Sequence, residues 1–159
     1  MPKVTVVMGS TSDMPVVEKA INTLKEFGVE VDAMVCSAHR TPDIAADFAK
    51  NARENGTDVI IAAAGKAAHL PGVLAAFTTL PIIGLPIKSS LMDGLDSLLS
   101  IVQMPSGVPV ATVAVNGAEN AAVLAVQIMS LKYDELAIKL TDYKKTMKKK
   151  VIESNNSIQ

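Results

Sequence analysis

The chain reads as an α/β protein: a doubly wound parallel β-sheet held between two helical layers, a three-layer αβα sandwich. Three observations carry this. Short apolar, β-branched runs alternate with segments of helical periodicity; the runs end in small-residue loops; and 159 residues make one domain with room for a proper core. Strands that alternate with helices specify βαβ units and therefore parallel pairing.

Each element has its own signal. Val4–Met8 is a buried strand stopped by Gly9-Ser10. Ser12 or Asp13 caps a helix that runs to about Phe27, with an apolar stripe of Val17, Ala20, Ile21 and Leu24 and Gly28 as its stop. Val29–Cys36 is the second strand. Thr41-Pro42-Asp43 opens the next helix, which ends near Asn55-Gly56. Asp58–Ala64 is the third strand, Gly65–Pro71 its loop, and Gly72–Phe77 a short helix.

Pro81–Leu85 is the fourth strand and Asp93–Val102 a helix. Pro105-Ser106-Gly107 turns the chain into a fifth strand over Val110–Val115. Asn116-Gly117 leads into an alanine-rich helix ending near Ser130. A last helix from Asp134 to about Ile152 lies outside the βα repeat and packs across the domain or onto a neighbouring subunit. Residues 1–153 thus form a single domain, with 154–159 a disordered tail.

Composition narrows the function classes. A formal net charge of −1, with no basic stripe among the few aromatic residues, argues against nucleic acid and against an anionic membrane surface. The run Leu80–Ile87 is interrupted by Pro81, Gly84 and Pro86, so it is no membrane span, and the start Met1-Pro2-Lys3 has no signal-peptide pattern. The lone Cys36 reads as a small buried hydrophobe in a reducing compartment. A cytoplasmic protein is expected. Val59–Ile87 is almost uncharged, which fits a two-sided parallel sheet, surface hidden in an oligomer, or both. The run Lys144, Lys145, Lys148, Lys149, Lys150 reads as a solvated helix face.

Ligands of α/β sheets bind past the carboxyl ends of the strands, and three such loops carry chemistry. Gly9-Ser10-Thr11-Ser12-Asp13 offers a tight turn, hydroxyls and helix amides, suited equally to holding an anion or to capping the helix; Asp13 suits a ribose hydroxyl better than a phosphate. It matches neither the dinucleotide glycine pattern nor a P-loop, so neither NAD nor ATP is indicated. Ser37-Ala38-His39-Arg40-Thr41-Pro42 joins an imidazole, a natural acid/base near neutral pH, to a guanidinium that forks onto phosphate or carboxylate.

Gly65-Lys66-Ala67-Ala68-His69-Leu70-Pro71-Gly72 lets the backbone approach a planar ligand, with His69 orienting it or capping the helix. Metal binding is disfavoured, because neither histidine has a second ligand at metal spacing, and no Gly-x-Ser-x-Gly elbow supports a hydrolase.

Gly-Ser-x-Ser-Asp, Ser-Ala-His-Arg-Thr-Pro and Ala-Ala-His-Leu-Pro-Gly, in that order at strand ends, resemble the PurE family of purine biosynthesis, and Arg40 with His69-Leu70-Pro71-Gly72 resembles its class I branch. The likeness extends through Ser100-Ile101-Val102-Gln103-Met104-Pro105 and the alanine-rich helix. It implies a flavodoxin-like fold, a homo-octamer with the terminal helix on a neighbour, no cofactor, and transfer of a carboxylate from the exocyclic nitrogen of an aminoimidazole ribonucleotide to ring carbon C4.

The resemblance further implies that Ser10, Asp13 and Arg40 bind the ribonucleotide, with Ser12, Ser37 and Ala38 beside it. His39 would carry the proton, and Gly65, Ala68, His69 and Leu70 would line the imidazole and carboxylate pocket. Lys66 stands where the family commonly has glycine; its ammonium reaches a substrate carboxylate or points to solvent. Two rival readings are a class II carboxylase using free carbon dioxide and a non-catalytic flavin or nucleotide module. With 3% aromatic residues, the chain has little to sandwich a flavin.

Overall fold

A computed structural model describes residues 1–158. Five parallel strands lie in the order β2-β1-β3-β4-β5: β1 Lys3–Met8, β2 Glu30–Val35, β3 Val59–Gly65, β4 Ile82–Ile87 and β5 Ala111–Thr112. The helices are α1 Met14–Glu26, α2 Pro42–Asn51, α3 Leu70–Phe77, α4 Leu95–Val102, α5 Ala118–Met129 and α6 Asp134–Asn156.

Alternation along the central strands builds two cores. Val4, Val6 and Met8, Val59, Ile61 and Ala63, and Ile83, Leu85 and Ile87 face α1 and α5. Val7, Ile60, Ala62, Ala64 and Ile82 face the opposite way, onto Ala45 and Ala49 of α2, Leu70 and Leu74 of α3, and Ile101 of α4. This is the three-layer arrangement expected. Small alanines on α2 and α5 let those helices approach the sheet closely, while the branched side chains come from the strands.

Several boundaries differ from the sequence reading: α2 stops at Asn51 instead of near Asn55, α4 starts at Leu95 instead of Asp93, and β4 covers Ile82–Ile87 instead of Pro81–Leu85. The expected fifth strand, Val110–Val115, pairs only at Ala111 and Thr112. Its neighbour β4 contains Pro86, which has no amide hydrogen to give, so the ladder lapses; Asn116 N instead donates to Pro86 O at 2.8 Å. α3 begins at Leu70, two residues early, because Pro71 fits the first turn of a helix. α6 runs through Asn156, so residues 154–156 of the expected tail are helical, and Gln159 lies outside the described residues.

β4 also shows why a glycine is needed inside a strand. A Cβ on Gly84 would drive into Ile101 Cγ2 and come within 2.9 Å of Val110 Cγ1. The close approach of α4 to the sheet depends on that missing methyl.

The amino ends of the strands are closed by charge. Asp58, just before β3, accepts from Lys132 Nζ at 2.8 Å, from Tyr133 Oη at 3.1 Å and from the Lys3 amide at 3.1 Å. Burial pushes its carboxyl up, but these donors outweigh burial and hold it below the ordinary aspartate value. The cluster pins the α5–α6 junction to β1 and β3. Beyond it, α6 buries only Leu136, with Tyr143 packed on Phe27 at 5.4 Å between ring centroids and Lys139 Nζ donating to Phe27 O at 2.6 Å.

Two stability outcomes are expected. Gly84→Ala costs about 1–3 kcal/mol in denaturant unfolding, because the core must shift to admit a methyl group. Asp58, with its folded-state pKa depressed, contributes stability above its unfolded value that is lost as pH falls through the folded one. Asp58→Asn should therefore lower the melting temperature at pH 7, and the gap to wild type should close in acid.

Candidate active site

The loops after β1, β2, β3 and β4 enclose one cavity of about 460 Å³ at the carboxyl end of the sheet. Its wall includes Ser10, Ser12, Asp13, Ser37, Ala38, His39, Arg40, Gly65, Lys66, His69 and Leu70. Three motifs separated in sequence therefore meet where the strand-end rule places a ligand.

In the first loop, Gly9 N still bonds to Ala63 O, and the chain then turns through a short 3-10 segment, Thr11–Asp13. Ser10 caps that segment: its Oγ accepts from Ser12 N at 3.3 Å and from Ser12 Oγ at 3.0 Å. Asp13 holds the N-cap position of α1, but its side chain makes no capping hydrogen bond and is buried beside the cavity. Burial pushes its carboxyl above the ordinary aspartate value, partly eased by the Ser10 backbone amide.

The second loop is knotted by Ser37 and Thr41. Ser37 N donates to Thr41 Oγ1 at 3.0 Å, Thr41 Oγ1 donates to Ser37 O at 3.0 Å, and Arg40 N donates to Ser37 Oγ at 3.1 Å. The Ser37 hydroxyl thus fixes the turn that presents His39 and Arg40. Thr41 is a positioning residue that sequence reasoning noticed only as a helix start.

In the third loop, Ala68 N bonds to Lys66 O and His69 N to Ala67 O, a tight winding that puts Lys66 at φ +54°. One expected lining residue does not line the cavity. The Ala68 side chain is buried in the core, because the same winding turns it inward against the second apolar cluster.

The two histidines meet. His39 Nε2 and His69 Nδ1 are 2.8 Å apart, with ring centroids at 4.9 Å and planes at 72°. One nitrogen donates and the other accepts, so the bond fixes the orientation of both rings relative to each other. His69 does not cap α3 with its side chain. Among the described residues no three His, Cys, Asp or Glu side chains converge as metal ligands.

The wall also includes Ile87, the last residue of β4, and Lys88, Ser89 and Ser90 beyond it, which the sequence reading passed over. Ser89 Oγ donates to both Asp96 carboxylate oxygens, at 3.1 and 3.0 Å, and Lys88 N donates to Asn116 Oδ1 at 2.9 Å. The signal was present: the strand-end rule applied to β4 points directly at Lys88-Ser89-Ser90. Arg40, Lys66 and Lys88 give the cavity three cations against the single carboxylate of Asp13.

Comparison with known proteins agrees with this geometry. The AIR carboxylase family matches residues 3–150. The chain belongs to the AIR carboxylase (PurE) family. It is 54% identical to the N5-carboxyaminoimidazole ribonucleotide mutase of Thermotoga maritima, over all of this chain and 93% of that protein. It is 56% identical to the mutase of Pyrococcus horikoshii, over 99% of this chain and 89% of that one. A crystal structure of Treponema denticola PurE superposes with a TM-score of 0.92 at 32% identity, covering 100% of this chain and 99% of that one. The flavodoxin-like fold of PurE is therefore the fold of this chain.

Asp13 yields a prediction that separates binding from stability. A carboxyl whose folded pKa is raised favours folding at low pH and opposes it as pH rises. Asp13→Asn should melt above wild type at pH 7, with the gain vanishing below about pH 4, where both forms are neutral; melting curves across pH check it.

Proposed function

We propose that this chain is an N5-carboxyaminoimidazole ribonucleotide mutase that acts without a cofactor. The observation that carries the reading is the imidazole of His39, held on the wall of a nucleotide-sized cavity by a second histidine, in a chain more than half identical to named mutases. The cavity volume lies within the range of small-ligand sites.

Ser10, Asp13 and Arg40 bind the ribonucleotide. The buried Asp13 carboxylate accepts from a ribose hydroxyl, and the Arg40 guanidinium takes the phosphate. Ser12, Ser37 and Ala38 lie beside it, and Gly65, Lys66, His69 and Leu70 surround the imidazole and its carboxylate.

In the first half of the reaction the bond between N5 and the carboxylate carbon breaks, releasing carbon dioxide, and protonated His39 gives its proton to N5. In the second half C4 attacks carbon dioxide. The proton on C4 then passes to neutral His39, which restores the aromatic ring and the starting state of the enzyme. One imidazole serves both steps because the proton given is regained. His69 holds the His39 ring between steps. Carbon dioxide kept beside C4 reacts at a high effective concentration.

The working form is read as a cytoplasmic homo-oligomer, an octamer. Large apolar side chains stand open on the single chain, including Val35 at the end of β2, Leu95, Leu99 and Val102 on α4, and Met147 and Val151 along α6. Such a surface is large for a monomer.

His39→Asn should lower turnover by about 10²–10⁴-fold while ribonucleotide affinity stays within a few-fold; near-wild-type turnover would remove His39 from the proton transfer. A substrate labelled with ¹³C in its N5 carboxylate should deliver the label to C4 in the presence of unlabelled bicarbonate. Complete wash-out would instead identify a carboxylase using free carbon dioxide.

A further inference from the structure

We infer that Lys66 is the specificity-determining cation for the migrating carboxylate, a reading that rests on the proposed mutase function. Three cations reach the cavity wall, but they are not equivalent. Lys88 is engaged with Asp93 at 3.4 Å. Arg40 and Lys66 have no carboxylate within ion-pair distance among the described residues, so two positive charges face the cavity uncompensated. The proposed substrate brings two separate anionic groups, a phosphate and a carboxylate, and each free cation matches one of them.

Chemistry and topology together assign which is which. Arg40 follows β2 and Lys66 follows β3, with β1 between them in the sheet, so the two cations enter the cavity from different loops. Lys66 shares its tight turn with His69, and His69 touches His39, so Lys66 stands beside the reacting groups. The Arg40 guanidinium, which forks onto a phosphate, is committed to the phosphate in the proposed function, and Lys66 is the free cation left for the carboxylate.

The backbone makes the residue choice informative. At φ +54° a lysine occupies the left-handed region that glycine enters without a Cβ penalty. Glycine would serve the turn at least as well, and what lysine adds is the ammonium. A variant that removes it keeps the loop conformation accessible, which makes the side chain testable apart from the fold.

The test is calorimetric binding of two ribonucleotides to the intact protein: 4-carboxy-5-aminoimidazole ribonucleotide and 5-aminoimidazole ribonucleotide, which lacks the carboxylate. Lys66→Gly should weaken the carboxylated ligand about tenfold or more, the scale of one charge-assisted contact, and leave the uncarboxylated ligand within about twofold. Lys66→Arg should retain the preference of wild type. Equal weakening of both ligands would move Lys66 to the phosphate, and no weakening of either would place it in solvent; each overturns the inference. If wild type binds neither ribonucleotide, the functional reading itself fails, and the role of Lys66 falls with it.

Discussion

The site depends on the register of three parallel strands. β1 pairs with β2 on one side and β3 on the other, and its last residue, Met8, is level with Val35 and Ala63. The β2 loop leaves level with the end of β1, whereas β3 runs two residues further, to Gly65, before its loop begins. His39, four residues beyond Val35, and His69, six residues beyond Ala63, can then close over the end of β1 and share a hydrogen bond. A slip of one residue in either ladder would exchange the two faces of that strand. It would send Val7 or Ile60 to the wrong core and lift one histidine out of reach of the other. Apolar packing in two cores thus sets the position of a polar pair that neither core contains.

This division of labour explains which parts of the molecule were legible in the sequence. The strands announced themselves because β1, β3 and β4 are buried on both faces and read as nearly continuous apolar runs without charge past Lys3. The three chemical loops were legible because their residue types sit at strand ends, where α/β folds bind ligands. The contact between His39 and His69 was not, since it spans thirty positions and depends on strand order, which periodicity does not encode. Ala68 was misplaced for a related reason: a one-residue difference in how the loop winds decides whether a methyl group faces ligand or core. The β4 loop was overlooked because its strand was taken to stop at Leu85, before Pro86, whereas a proline can remain in a strand at the cost of one ladder bond.

β2 marks the other limit of the sequence reading. Its run reads as a strand without saying where in the sheet it lies, and it lies at the edge, with Val31 and Met34 half-buried and Val35 exposed. The same holds along α6, where Tyr143 packs on the domain but Met147 and Val151 extend past it. One copy of the chain leaves these apolar side chains exposed. Hydrophobicity alone does not tell a buried strand from an edge strand.

The two ends of the sheet treat charge in opposite ways, and the contrast bears on function. At the amino end Asp58 is satisfied by a lysine, a tyrosine and a backbone amide, and its carboxyl is held in the ionised form. At the carboxyl end Asp13 is buried with its carboxyl pushed up, Lys66 sits in a backbone region that suits glycine, and two cations face a cavity without partners. A ribonucleotide would answer the electrostatic part of this: its anionic groups compensate the two cations, and a ribose hydroxyl gives the Asp13 carboxyl a donor. A ligand that binds only the folded chain adds its own binding free energy to stability. The end of the domain that is least satisfied alone is thus the one with most to gain from a ribonucleotide, as expected of a face shaped for binding rather than for folding.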